Sequence, residues 1–239
     1  MSIISLEEAQ KRKIIENLMA DSRYNGNLGY PEGFLEHCRG SAEVMADVVD
    51  RAIFYFPDQF RQMDTEVMKT AAYLHDIGRI LRKKQIFHEL RGAEFIEDEG
   101  LNIGLADPNE KMDTLYKFAQ IIRPHFAVYE QFWMEEHKDD RKEFEGEMIQ
   151  LLLVPSTWNE SMLVYSDLSN LGGNRITPRE RMEELESRCS SSKGSREDEL
   201  RLKAIKLGKE RVLRICDSVD NLVTGNMDYR ELNKYGILL

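Results

Sequence analysis

Ala71-Ala72-Tyr73-Leu74-His75-Asp76-Ile77-Gly78-Arg79 is the stretch whose reading decides the fold. Val67, Met68, Ala71, Ala72 and Leu74 recur at helical spacing, so the stretch reads as the end of a buried helix. Its last turn sets an imidazole and a carboxylate side by side just before Gly78, a glycine that reads as the helix stop. Polar groups taken out of water must be hydrogen-bonded, paired or bound. One arrangement satisfies both at once, a nitrogen of His75 and an oxygen of Asp76 on the same metal ion. A His-Asp dipeptide also occurs by chance, and a core helix whose polar end caps itself would explain it. Further ligands upstream and downstream therefore carry the decision.

Upstream, Asp64 is a fair N-cap for this central helix, and Pro57-Asp58 closes the helix before it. That earlier helix runs from Glu32 to Phe56, with Phe34, His37, Ser41, Val44, Met45, Val48, Ala52, Ile53 and Phe56 on its inward stripe. His37 therefore faces the core. Ser5-Leu6-Glu7-Glu8 is a capping box for a first helix reaching about Ala20, and Asn25 to Pro31 breaks it.

Downstream, a basic segment from Arg79 to Lys84 precedes His88, which opens a short helix that Gly100 should end at the C′ position. His88 again points inward. Asp107-Pro108 starts a helix whose stripe is Leu115, Phe118, Ile121, Ile122 and His125, and Pro124 should kink or stop it there. His137, among charged neighbours, reads as solvated. Lys138 to Val154 is helical, and Pro155-Ser156-Thr157 breaks it. A helix from Trp158 to Leu171 follows, with Asp167 the single acid on its apolar side. Buried carboxylates need a cation, a capping role or a metal. After a loop at Gly172-Gly173-Asn174 comes a charged helix, Arg179 to Arg188, then a Ser-rich stretch, Ser190 to Ser195, expected to be a flexible linker. Arg196 to Thr224 is a long amphipathic helix, read as core cover in preference to an oligomerisation surface. No strand-like alternation and no internal repeat is visible.

A chain of 239 residues with 41% hydrophobic content can build one large helical core. The formal net charge of −10 argues against duplex nucleic acid as a partner, since a phosphate backbone needs a basic surface. A small phosphorylated molecule needs only a local basic patch. No apolar run approaches a bilayer span and Cys38, Cys189 and Cys216 form no CxxC pair, so no membrane association and a cytoplasmic location are expected.

Along the chain the inward polar residues read His37, His75-Asp76, His88, His125, Asp167. That order resembles the HD superfamily of metal-dependent phosphohydrolases over roughly residues 34 to 171. The wording around the ligands agrees: Leu74-His75-Asp76-Ile77-Gly78-Arg79, His88-x-x-x-Gly92-Ala93-Glu94, Ile121-Ile122-Arg123-Pro124-His125 and Leu163-Val164-Tyr165-Ser166-Asp167-Leu168. The stretch Ile176-Thr177-Pro178-Arg179-Glu180-Arg181 also resembles the continuation in some members. The resemblance implies an all-α fold, an HD-domain helical bundle over residues 31–175, with residues 1–30 as an N-terminal helix and loop and 176–239 as a C-terminal helical extension ending in the long amphipathic helix. It implies a first metal on His37, His75, Asp76 and Asp167 and a second shared through Asp76 with His88 and His125. One departure is Pro124-His125-Phe126, where the longest ligand lists have two adjacent histidines. A mononuclear centre with His88 and His125 on substrate is the alternative.

Imidazole and carboxylate suit a divalent transition metal (Fe, Mn, Co, Ni or Zn), which makes hydroxide available near neutral pH. The expected activity is hydrolysis of a nucleotide or other small phosphate mono- or diester by metal-activated hydroxide. His75, Asp76 and Arg79 are the expected catalytic residues. Arg79, Lys83, Arg91, Arg123 and Arg175 are candidates for substrate phosphate, Arg79 foremost because it lies one turn from the His-Asp pair. The GYP sequence of cyclic-di-GMP phosphodiesterases is absent. The same ligand order also serves di-iron oxygenases of the superfamily, and a non-catalytic metal- or nucleotide-binding module is the third reading. A homo-oligomer through the C-terminal helix is compatible with all three.

Overall fold

The computed structural model describes residues 8–24, 31–82, 86–105, 112–129, 154–191 and 196–236. Helix α1 (Glu8–Ala20) ends at the expected residue, while its capping Ser5 and the break after Tyr24 lie outside the described residues. Helix α2 (Pro31–Tyr55) buries Phe34, Ser41, Val44, Met45, Val48 and Ala52 on one stripe, as its period requires. Pro57 both ends α2 and opens the single turn α3 (Pro57–Phe60), where its missing N–H costs nothing. Asp64 then caps α4 (Thr65–Leu74), its carboxylate accepting from the N–H groups of Glu66 and Val67. Helices α2 and α4 pack along each other and form the centre of the main core.

Gly78 departs from expectation. It does not stop a helix but begins a short one, α5 (Gly78–Leu81), and its φ is not left-handed. Its function is close approach: a Cβ there would stand 1.9 Å from the carbonyl oxygen of His88 and 2.7 Å from the amide of Gly92. Helix α6 (His88–Glu99) thus lies backbone against backbone on α5, which brings His88 to Asp76. Gly100 is likewise not the left-handed cap expected, since its φ is −55° and its N–H donates to Ile96 O. Helix α7 (Met112–Ile122) ends just before Arg123-Pro124, as the proline dictates. The start signal at Asp107-Pro108, His137, and the helix expected from Lys138 lie outside the described residues apart from Val154.

Thr157 and Glu160 form a capping box at the start of α8 (Trp158–Leu168), and the Trp158 indole N–H donates to Leu232 O, tying the C-terminal segment to the core. Helix α8 stops three residues short of the expected Leu171, because Asn170–Leu171 (β1) pairs antiparallel with Asn174–Arg175 (β2). Gly172 and Gly173, with φ of 55° and 84°, make the two-residue turn between them, so the expected loop is a small hairpin. Thr177 and Glu180 cap one another at the start of α9 (Pro178–Ser191), which takes in Ser190 and Ser191 of the expected linker; residues 192–195 lie outside the described ones. Helix α10 (Arg196–Val223) lays Ile205, Val212, Cys216, Val219 and Leu222 against α9, α8 and α2, and a last turn, α11 (Tyr229–Leu232), follows. Among the described residues the architecture is all-α with one hairpin. A second, smaller core lies between α8, the segment 126–129, α9 and α10.

Candidate metal centre

His37 from α2, His75 and Asp76 after α4, His88 at the start of α6, His125 after α7 and Asp167 from α8 meet in one place. Each sits at a helix end or on an inward stripe, so five helices deliver six side chains to the core. His75, His88 and His125 are fully buried, and Asp76 and Asp167 nearly so.

Two groups share Asp76. On one side His37 Nε2 lies 3.2 Å from His75 Nε2 and 3.0 Å from Asp167 Oδ1, with Asp76 Oδ2 3.7 Å from His75 Nε2. On the other, His88 Nε2 lies 3.2 Å from His125 Nε2 and 2.8 Å from Asp76 Oδ1, with His125 Nε2 3.5 Å from the same oxygen. Asp76 therefore presents one oxygen to each histidine pair. Arg79, whose Nε stands 2.6 Å from Asp76 Oδ2, closes the rim.

The tautomers show that these residues fit a cation. His75 Nδ1 lies 2.6 Å from Ala72 O and His125 Nδ1 2.8 Å from Ile122 O. A carbonyl only accepts, so the proton sits on Nδ1 and each Nε2 presents a bare lone pair inward. Those lone pairs face other acceptors, the oxygens of Asp76 and Asp167, at hydrogen-bond distances. Asp76 Oδ1 is buried with no hydrogen bond. Acceptors converging on acceptors in a buried pocket are stable around a positive ion.

The charge states agree with this layout. Burial opposes ionisation of Asp76, yet Arg79 and the surrounding histidines hold its carboxyl well below the ordinary range. Burial likewise opposes charge on Asp167, and the neighbouring His37 and His75 outweigh it and hold its carboxyl well below the ordinary range. Burial, reinforced by the Arg79 charge, pushes His88 down to about 3, so it stays a neutral ligand. His125 is also lowered by burial, whereas Asp76 and Asp167 overcome burial at His75 and raise it.

Of the other expected residues, Arg79 touches the cluster. Arg91 donates to Ile86 O, Arg123 pairs with Glu97, and Arg175 pairs with Asp47 on α2. Lys83 lies outside the described residues. Sequence reasoning passed over two neighbours of the ligands. Glu89, fully buried, places Oε2 3.3 Å from His88 Nδ1, and burial raises its carboxyl to about 8. Its signal was an acid directly after an inward histidine. Asn170 donates its amide to His37 O at 2.7 Å and lies 3.0 Å from His37 Nδ1. In the sequence it fell inside the helix expected from Trp158 to Leu171 and carried no signal of its own.

Fold and site together define a helical protein with His/Asp groups able to hold a metal at a buried centre. Residues 34–155 match the HD domain family, and the chain belongs to it, within the HD superfamily of metal-dependent phosphohydrolases. No curated protein and no solved structure matches the chain. Five of the six cluster residues fall inside the matched stretch, and Asp167 joins them by geometry. Among the described residues, no helix is long and apolar enough to cross a membrane.

Proposed function

We propose that this chain is a phosphohydrolase with a two-metal centre, acting on a nucleotide or another small phosphate ester. The observation that carries the reading is the division of Asp76, one carboxylate oxygen toward His37 and His75 and the other toward His88 and His125. His37, His75, Asp76 and Asp167 would hold one ion, and Asp76, His88 and His125 the other. Divalent ions held there would make hydroxide available near neutral pH and would offset negative charge on the phosphoryl oxygens. The chain's own residues do the rest. Nδ1 protons parked on Ala72 O and Ile122 O keep His75 and His125 in the ligating tautomer. Burial keeps His88 neutral. Arg79, oriented by Asp76 and partly exposed at the rim, is placed to bind a non-bridging phosphoryl oxygen.

The test is elemental analysis of the purified protein together with phosphate release from a nucleotide panel under Mn, Co, Ni, Fe and Mg. About two ions per chain and metal-dependent release are expected, with Asp76→Ala losing both metal and release. Iron, oxygen uptake and no phosphate release would overturn the hydrolase in favour of an oxygenase, and metal-independent ligand binding without turnover would leave a binding module.

A further inference from the structure

Among the described residues, two non-glycine positions have a left-handed backbone, Phe87 with φ of 57° and Ala127 with φ of 47°. A Cβ makes that conformation unfavourable, so it persists where the surrounding structure imposes it. Phe87 comes directly before His88, and Ala127 two residues after His125, so the strain falls beside both histidines of one pair and beside neither of the other. Aromatic rings join the two segments. Phe87 packs on Tyr129 with ring centroids 4.9 Å apart, Phe126 on Tyr129 at 5.4 Å, and His88 on Phe126 at 6.0 Å.

What imposes the conformation at Ala127 comes from α10. The Arg211 guanidinium donates through Nη2 to Ala127 O. One turn earlier, Gly208 meets the next residue so closely that a Cβ would stand 2.8 Å from Val128 Cα and 3.0 Å from Val128 O. Phe126, Ala127, Val128 and Tyr129 are all buried, where a carbonyl that loses its donor finds little water to replace it. His125 is therefore fixed from two sides, its ring Nδ1 by Ile122 O before it and its chain by α10 after it.

We propose that Arg211, together with Gly208, is a positioning residue for His125, acting through the left-handed Ala127. Without the Arg211 donor, Ala127 relaxes toward negative φ, and His125 Nε2 leaves its place 3.5 Å from Asp76 Oδ1 and 3.2 Å from His88 Nε2. This positioning presupposes the two-metal reading, not the hydrolysis. Arg211 and Gly208 lie beyond residue 155, where the family match ends, so the helix that follows the matched stretch completes the centre.

Metal affinity of the full chain, read by chelator competition with elemental analysis, tests it in Arg211→Met, which removes the donor and keeps a long stem. The ion that His125→Ala removes should bind about tenfold more weakly, and the other ion should be unchanged. Arg211→Lys, which keeps a donor, should recover part of the loss. Ala127→Gly added to Arg211→Met should recover it too, because glycine takes the left-handed backbone unaided. Gly208→Ala, which presses on Val128 with Arg211 intact, should loosen the same ion, whereas Arg214→Ala, exposed one turn further along α10, should loosen neither. Equal weakening of both ions, or no recovery on adding Ala127→Gly, would reduce Arg211 to general support of the fold and overturn the proposal. Nitrogen NMR of His125 in the metal-free chain is the second readout: Arg211→Met should turn the Nδ1–H tautomer into a mixture, and the double variant should restore it. A wild type that takes up no second ion would sink the two-metal reading, and the tautomer signal would then decide the positioning, an unmoved signal overturning it.

Discussion

His37 is the least buried member of the centre, its side chain 12% exposed, and it depends on one amide to stay in place. Asn170 accepts the Gly173 N–H through Oδ1, which turns its Nδ2 toward His37 O, His37 Nδ1 and Ser41 Oγ. Room for that amide comes from Gly40, where a Cβ would stand 2.5 Å from Asn170 Oδ1. Second-layer partners of metal ligands are worth about tenfold to a hundredfold in metal affinity. On the two-metal reading, Asn170→Ala should therefore weaken the ion on the His37 side by about tenfold while the ion on the His88 side stays. Chelator competition followed by elemental analysis reads this, and the cobalt-substituted protein should change its visible spectrum. Asn170→Asp, which keeps the acceptor for Gly173 but sets a carboxylate oxygen against His37 O, should not recover the loss. Unchanged affinity in both variants would make Asn170 a turn residue only. None of this was legible in the sequence, because an asparagine before Gly172-Gly173 looks the same whether it shapes a turn or holds a histidine.

At the scale of elements, the contact between α5 and α6 sets the distance between the two histidine pairs. Gly78 meets the His88 carbonyl and Gly92 across this contact, and no side chain fits between them. Gly78→Ala cannot be absorbed by a rotamer change, since the obstructing atoms are backbone. Overpacking of this kind costs about 1–3 kcal/mol. The variant should melt several degrees lower and lose the ion on the His88 side first, measured by calorimetry and metal content. Wild-type stability with both ions retained would show that α6 has freedom to shift. Helix existence was legible here because apolar residues at three- and four-residue steps leave a strong periodic trace in α2, α4, α7 and α10. The meaning of the glycines was not. A glycine ending a helix and a glycine admitting a second backbone leave the same letter, and only the position of α6 separates the two.

At the scale of the molecule, the centre joins α2, α4, α6, α7 and α8, elements that reach it from widely separated parts of the chain. Their order was legible because each ligand type stood out on an otherwise apolar stripe. A centre that joins so many elements should stabilise all of them when filled, by about 4 kcal/mol for ligand a thousandfold above its dissociation constant. Chelation should accordingly lower the Tm of the whole domain in one transition. Once the ions are gone, Glu89 should govern much of the pH dependence that remains. Burial raises its carboxyl to about 8, against about 4.3 in the unfolded chain. Between those values the folded state holds a proton that the unfolded state has released, so stability falls as pH rises. The contribution is complete below about pH 4.3 and lost as pH passes through about 8. In the chelated protein, Tm should decline from about pH 5 to about pH 8, and Glu89→Gln, which has no proton to lose, should flatten that decline. Melting curves across this range decide the matter, because an identical slope in wild type and Glu89→Gln would mean that Glu89 is already ionised in the folded protein and finds its counter-charge in the neighbouring Arg79 and Arg91.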